Sequence, residues 1–493
     1  MIAAARRVRN RSLCPIAHPP RWYLQITRVR REWQERLLLA LCAGVLVWQL
    51  FVPGFIGMAD NGDFGKVAGP LSLGGVDHGA DHFVFFQPHY FRSPQNYFIP
   101  EPPSSEIALA ALASTCEKPF DADYFDIRWL GALHALLFLG FFAALLQLLR
   151  PCSALRRLSL GLLAIWIFAD AGTLAYFNSF YMDAAAALGA LLACALAARC
   201  ATVDRPRSAA LALLSAAALL FATAKGQHAL VGLILAATVM AVALSVRLPM
   251  RAAIASAASL VIAGSIGLLL SMPPWYRAQS RFDLIFSFIT PRSATPAADL
   301  EELGLSSAHL RFSGSNAFSP GTPMAQRAFV DDFDAHCTYA RILAFYARHP
   351  AVAAAKLWSD LTAKAALRRP ANLSNFPRTQ GKPPGARTRR LASWSALRSA
   401  LFAWWPAHIL IWYAFAIGWF GWRAFHGLPL RRARAAVIVT IAWAGILEFA
   451  VAALADAVET DRHLFLFHLL TDVTIFFAAL WWSDPAPQSK SPV

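Results

Sequence analysis

The 493-residue chain carries 45 Lys and Arg against 29 Asp and Glu, a formal charge of +16, with 57% hydrophobic and only 15% charged residues. Soluble proteins hold about 45–50% apolar and about 25% charged residues, which excludes a soluble multidomain chain and a disordered one. Seven cysteines exclude a disulfide scaffold. With a mean hydropathy of +0.45, the remaining class is an all-α polytopic membrane protein, contacting the lipid bilayer and no nucleic acid.

Residues 1–36 form a basic tail holding Arg6, Arg7, Arg9, Arg11, Arg21, Arg28, Arg30, Arg31 and Arg36. Ten apolar runs then approach the roughly 20 residues that a bilayer crossing requires. They are 37–57, 129–149, 158–176, 183–199, 208–224, 229–246, 252–271, 401–422, 435–455 and 464–482. Connections 150–157, 200–207, 247–251 and 423–434 are rich in Arg, whereas the opposite short turns hold only Lys225 and Arg462. Positive charge accumulates on the cytoplasmic side, so both termini are expected inside. The organisation expected is a transmembrane module 37–271 of about seven helices, interrupted by an outer loop 58–128. A large outer loop 272–400, C-terminal helices 401–482 and a cytoplasmic tail 483–493 follow. Glu32, Glu35, Asp204 and Asp484 are the only acids on the inner side of this map, so chemistry is expected to face outward.

Both outer loops carry local signals. A helix over 104–114 would start at Ser104 or Ser105, with Glu106 behind the cap. Phe329, Phe333, Ile342 and Tyr346 lie on one helical stripe of 325–348, and a second helix over 351–369 would end in Arg368 and Arg369, cations suited to its C-terminal dipole. Residues 371–391, rich in Pro, Gly and Arg, read as flexible. Cys116 and Cys337 are the cysteines of the outer loops, and an oxidising compartment would permit their pairing. Phe83, Phe85, Phe86, Tyr90 and Phe91 suit either the bilayer surface or a sugar face.

Chemistry concentrates where the first apolar run ends, at Asp60-Asn61-Gly62-Asp63-Phe64. Two carboxylates three apart serve acid–base catalysis or a hard divalent cation such as Mg or Mn; the competing reading is a polar helix cap. Asp77, His78, Asp81 and His82 form the densest run of metal-ligand types, suited to Zn or Mn, though their spacing matches no structural zinc pattern. Asp170, Glu448 and Asp472 fall within apolar runs. Such charges are expensive in a bilayer and face a bundle interior or cavity. Asp170 is therefore a pocket candidate, and Glu448 and Asp472 are expected to pair with Arg462 or His468.

The Asn61-Gly62-Asp63-Phe64 run resembles bacterial membrane proteins of the GT-C superfamily, integral-membrane glycosyltransferases that use polyprenyl-phosphate-linked sugars. So do Tyr176-Phe177-Asn178-Ser179-Phe180-Tyr181, Ala224-Lys225-Gly226-Gln227 and Asp461-Arg462-His463-Leu464-Phe465-Leu466-Phe467. The likeness covers the membrane portion and is thin over 272–400. It departs at Met182-Asp183, where Glu or a Ser-Glu pair is expected, so it assigns Asp183 no role. The resemblance implies a GT-C-like fold and an inverting sugar transfer to a surface-glycan or lipid-linked acceptor. Asp60 would be general base, with Asp63 as alternative or metal ligand. Lys225, Arg462 and His463 would hold the donor phosphate, and Asn61, Asn178, Tyr181 and Gln227 would line the pocket. Snorkelling to the interface competes as a reading of Lys225 and Arg462. Ala- and Arg-rich usage points to a bacterial plasma membrane with the site facing outward. The alternative is a transporter or flippase for lipid-linked sugars, which would be expected to show internal repeats; none is evident.

Overall fold

The computed structural model describes residues 21–75, 80–92, 101–203, 206–246, 248–370, 372–426 and 428–482. The expectations placed on Arg6 to Arg11, Asp77, His78, Asp204, Arg247, Asp484 and the 483–493 tail concern residues outside this set.

The chain is mostly helical, and the apolar periodicity of its long runs is what makes it so. In chain order the main helices are α1 (Arg21–Leu50), α2 (Ser105–Glu117), α3 (Arg128–Leu148), α4 (Ala154–Phe168), α5 (Asp183–Cys200), α6 (Ser208–Ala222), α7 (Gly226–Ala241) and α8 (Leu248–Ser271). They continue with α9 (Pro274–Phe282), α10 (Arg327–His336), α11 (Tyr339–Arg348), α12 (Pro350–Ser359), α13 (Ser393–Trp404), α14 (His408–Phe425), α15 (Pro429–Leu454) and α16 (Phe465–Trp481).

Six stretches are long and apolar enough to cross a bilayer: Arg128–Leu148, Asp183–Cys200, Gly226–Leu244, Met250–Ser271, Pro429–Leu454 and Thr460–Trp481. Two bent pairs raise this to eight if each is a single span, α4 with Ala171–Asn178 at 48° and α13 with α14 at 104°. Ten runs were expected, and the difference falls on 37–57 and 208–224. The helix α6 is apolar but 15 residues long, about 22 Å at 1.5 Å per residue, short of a hydrocarbon core of roughly 30 Å. The helix α1 brings Glu35 and Arg36 to the head of its apolar half and Gln49 to its foot.

The bundle centres on α5 and α16, which are buried on nearly every side. Small side chains make this possible in α5. A Cβ on Gly189 would lie 2.5 Å from the Phe221 backbone nitrogen of α6, so the two helices touch backbone to backbone. At the periphery α8 leaves Leu260, Ile262, Ile266 and Leu270 exposed.

The first long connection is not purely helical, which corrects the all-α expectation. Leu73–Gly75 (β1), His89–Arg92 (β2) and Tyr124–Asp126 (β3) form an antiparallel sheet, with Leu73 opposite Arg92 and Tyr90 opposite Phe125. Beside it α2 starts at Ser104, whose hydroxyl accepts the Glu106 N–H at 3.0 Å, as expected. Phe85, Phe86 and Tyr90 are core residues, so the aromatic crowd there is largely packing.

The second long connection builds its own core from Phe282, Phe286, Leu300, Phe333, Ile342 and Phe345. The expected 325–348 helix is two helices, because Thr338 starts α11 anew by accepting the Arg341 N–H at 3.3 Å. Cys337 is buried at that break and Cys116 is exposed on α2; both are free thiols. Arg368 lies beyond the helix that was to end with it and turns into the bundle to Asp472. Residues 372–391 are not loose. Asn375 donates to Gly57 O at 3.0 Å and accepts from Thr388 N at 3.0 Å, while Ala59 N donates to Ser374 O at 2.9 Å. The segment is a strap hydrogen-bonded along the residues that follow α1.

Candidate functional site

The site forms where α1 ends. Asp60 Oδ1 accepts the N–H groups of Gly62 at 2.7 Å and Phe64 at 3.1 Å, and Gly62 sits at φ +102°, which favours glycine. These bonds curl Asp60–Phe64 into a tight turn that starts the short helix Gly65–Ala68. Tyr181 locks the turn: its hydroxyl donates to Ala59 O at 2.9 Å and accepts from Asn61 N at 3.0 Å. Phe64 packs edge-on against Tyr181 and Phe180.

The two carboxylates of the turn differ. Asp60 is partly exposed, and only its Oδ1 is engaged by the backbone. Burial pushes its carboxyl above the ordinary aspartate range, against those two N–H bonds. Burial alone would also raise Asp63, but Lys66 and Arg462 hold it well below that range. Asp63 pairs with Lys66 through Oδ1 and with Arg462 Nη2 at 2.6 Å through Oδ2.

From Arg462 the charges run inward. Arg462 reaches Glu459 at 3.1 Å and Asp183 at 3.6 Å, and its guanidinium lies 5.0 Å over the Tyr181 ring. Asp183, at the head of α5, also takes Lys225 at 3.1 Å and His228 at 3.4 Å. His228 Nδ1 is 3.0 Å from Glu448, which accepts from Gln227 at 2.6 Å. Gln227 donates further to His463 O at 3.1 Å, and the His463 ring accepts from Arg462 at 3.2 Å. Asn61 donates to Glu459. The structure thus joins Asp60, Asn61, Asp63, Tyr181, Lys225, Gln227, Arg462 and His463 in one cluster.

Other expected site residues lie elsewhere. Asn178 is fully buried and donates to Leu50 O at 3.0 Å and Ile56 O at 2.7 Å, holding the foot of α1. Asp170 accepts from Gly172 N at 2.8 Å and Ser395 N at 3.1 Å, tying α4 to α13. Asp81 pairs with Arg378 on the strap, whereas His82 borders the turn, its carbonyl accepting the Asp60 N–H at 3.0 Å and its ring tilted against Phe83. Asp77 and His78 lie outside the described residues. Among the described residues the grouping of three metal-ligand types is Asp299, Glu302 and His349, where Glu302 already takes Arg348 and His349. Glu448 pairs with His228, and Asp472 with Arg368, in place of the partners expected for them.

Sequence reasoning missed Asp183, Lys66, His228 and Glu459. The GT-C-like pattern assigns Asp183 no role, yet Lys225, His228 and Arg462 all converge on it. Lys66 is six residues past Asp60 on the same loop, and that proximity was the available signal. The sequence places Glu106 only behind the Ser104 or Ser105 cap. Glu106 also reaches the buried His134 at 3.1 Å and accepts the Ala185 N–H at 3.0 Å, so it fixes the head of α5 beneath Asp183.

The chemistry available is one carboxylate with a raised proton affinity, set beside buried cations whose charge neighbouring acids balance. The family model described as the YfdI N-terminal transmembrane domain matches residues 25–491, and the chain belongs to that family. No curated protein and no solved structure matches the chain.

Proposed function

We propose that this member of the YfdI family is a glycosyltransferase that moves a sugar from a polyprenyl-phosphate donor to a surface-glycan or lipid-linked acceptor at the outer face of a bacterial plasma membrane. The observation that carries the reading is the contrast within the 60–63 turn. Asp63 is neutralised by Lys66 and Arg462, while Asp60 keeps one carboxylate oxygen outside the backbone bonds and a raised proton affinity. A base acts best when its pKa moves toward the working pH, so Asp60 is the base and Asp63 the ion-pair partner. Asp60 takes the proton of the acceptor hydroxyl. The acceptor oxygen then bonds to the anomeric carbon, the bond from that carbon to the phosphate oxygen breaks, and the configuration inverts.

The departing phosphate gathers negative charge, which fixed positive charge stabilises. Arg462 suits this, because its buried Nη1 makes no hydrogen bond among the described residues and meets Asp183 only at 3.6 Å. Lys225 is held by Asp183 and contributes field rather than a free donor. Carboxylates outnumber lysines and arginines in the cluster, but both Asp63 oxygens already meet Lys66 and Arg462, so a divalent cation at the 60–63 turn would have to displace those pairs.

The test compares lipid-linked and surface glycans by mass spectrometry in cells lacking the chain and in cells rescued with native or Asp60→Asn protein. Native chain should restore a missing sugar. Asp60→Asn should insert at normal levels and transfer about 10²- to 10⁴-fold more slowly, the usual worth of a positioned base. Full rescue by Asp60→Asn would remove the base assignment. Accumulation of a complete lipid-linked precursor without loss of a sugar would favour a flippase.

A further inference from the structure

A second charged cluster lies inside the bundle, on contacts separate from those of the Asp60 turn. Asp472 of α16 takes Arg368 from the chain before the strap, Arg398 of α13 at 3.4 Å and the Trp394 indole N–H at 2.9 Å. His468 stands one turn before Asp472 on the same helix, between the rings of Phe402 and Phe467. All are buried: Arg368 is 7% exposed, Arg398 3%, His468 1% and Asp472 0%. No described contact links them to Asp63, Asp183 or Arg462.

The cluster is unbalanced in charge and in hydrogen bonds. Asp472 is the carboxylate within ion-pair reach of both guanidiniums among the described residues, so two positive charges share one negative. Among the described residues, Arg368 Nη1, Arg398 Nη2 and both ring nitrogens of His468 have no hydrogen-bond partner, while Arg398 Nε and Asp472 Oδ1 face each other at 3.4 Å without a hydrogen bond. Arg398 Nη1 meets only the His408 ring, at 3.4 Å. An unmatched buried guanidinium is costly, and each buried donor left without a partner adds to that cost. The surplus is of donors and of positive charge, the complement of an oxyanion. Arginine pairs and imidazole suit phosphate in particular, because the guanidinium fork matches its oxygens.

We propose that Arg368, Arg398 and His468 form a second, buried anion site that takes a phosphate group, distinct from the donor-phosphate contacts of Arg462. Asp472 and Trp394 position the two guanidiniums. The phosphate belongs either to a lipid headgroup reaching in from the bilayer or to free phosphate.

The experiment titrates purified full-length protein in neutral detergent with dodecyl phosphate and, separately, with inorganic phosphate, reading bound phosphate by equilibrium dialysis. Native protein should bind dodecyl phosphate saturably. Arg398→Gln should weaken binding about tenfold or more, as expected for loss of a charged hydrogen bond. His468→Phe, which keeps ring volume and leaves the ion pairs intact, should weaken it less while the melting temperature holds. Equal binding of inorganic phosphate with the same Arg398 and His468 dependence supports the site and names free phosphate as its source. Absence of saturable binding to native protein overturns the proposal. Binding unchanged in His468→Phe and in any Arg398→Gln protein that folds also overturns it.

Discussion

Asp60 and Asp63 are three residues apart in the chain and opposite in electrostatic surroundings. Burial raises Asp60, while Lys66 and Arg462 hold Asp63 low. A base works only when ionised, so sugar transfer should fall as pH drops through the raised Asp60 value. The acid limb of the rate profile should lie above the ordinary aspartate range, and Asp63→Asn, which removes a charge that helps raise Asp60, should move that limb to lower pH without abolishing it. A limb at the ordinary position would separate Asp60 from the rate. Asp183 carries a different expectation. It neutralises Lys225 and approaches Arg462, and removing one member of a buried pair strands the other. Asp183→Asn should destabilise the protein by about 3–5 kcal/mol, seen as a lowered melting temperature in detergent. The positions of Asp60, Lys225 and Arg462 were legible because each interrupts apolar sequence at a helix end. Glu459 was not, since it meets Asn61 only through the fold.

The elements were legible in proportion to how far local periodicity decides them. Long apolar runs such as α3, α7 and α15 appear where hydropathy places them. The small sheet was hidden because its strands are three or four residues long, too short for an alternating pattern to show. The strap was misread for a related reason. Pro- and Gly-rich sequence lacks internal hydrogen bonds of a regular kind, but Ser374 and Asn375 find theirs on Gly57 and Ala59, in the segment that follows α1. The contact between α5 and α6 gives an element-level test. Gly189→Val would drive its side chain into the Phe221 and Ala217 backbone. Backbone cannot move aside as a side chain does, so a loss of about 1–3 kcal/mol is expected, checked by detergent melting. An unchanged melt would show that the helices separate freely.

At the scale of the molecule, the second long connection meets the bundle at two buried carboxylates. Burial raises both Asp283 and Asp456, and the Asp456 charge adds to the rise at Asp283. Asp283 accepts Ala317 N–H at 2.6 Å, and Asp456 accepts Ala457 N–H at 2.6 Å. A carboxyl whose folded pKa is raised gives stability that is complete below its unfolded value and is lost as pH rises through the folded one. Amide exchange around 314–319 and 456–458 should therefore quicken from mildly acidic to mildly alkaline pH, and Asp283→Asn should flatten that dependence. Persistence of the slope in that variant would point to another group. Asp63 and Arg462 are 399 positions apart, which sets an order of events during synthesis. When a ribosome has made the first seven-eighths of the chain, Asp63, Asp183 and Lys225 are already translated while Arg462 is not. A nascent bundle lacking its last helix leaves Asp63 with Lys66 and Asp183 with Lys225 as two separate pairs, and only the late arrival of Arg462 joins them into one site.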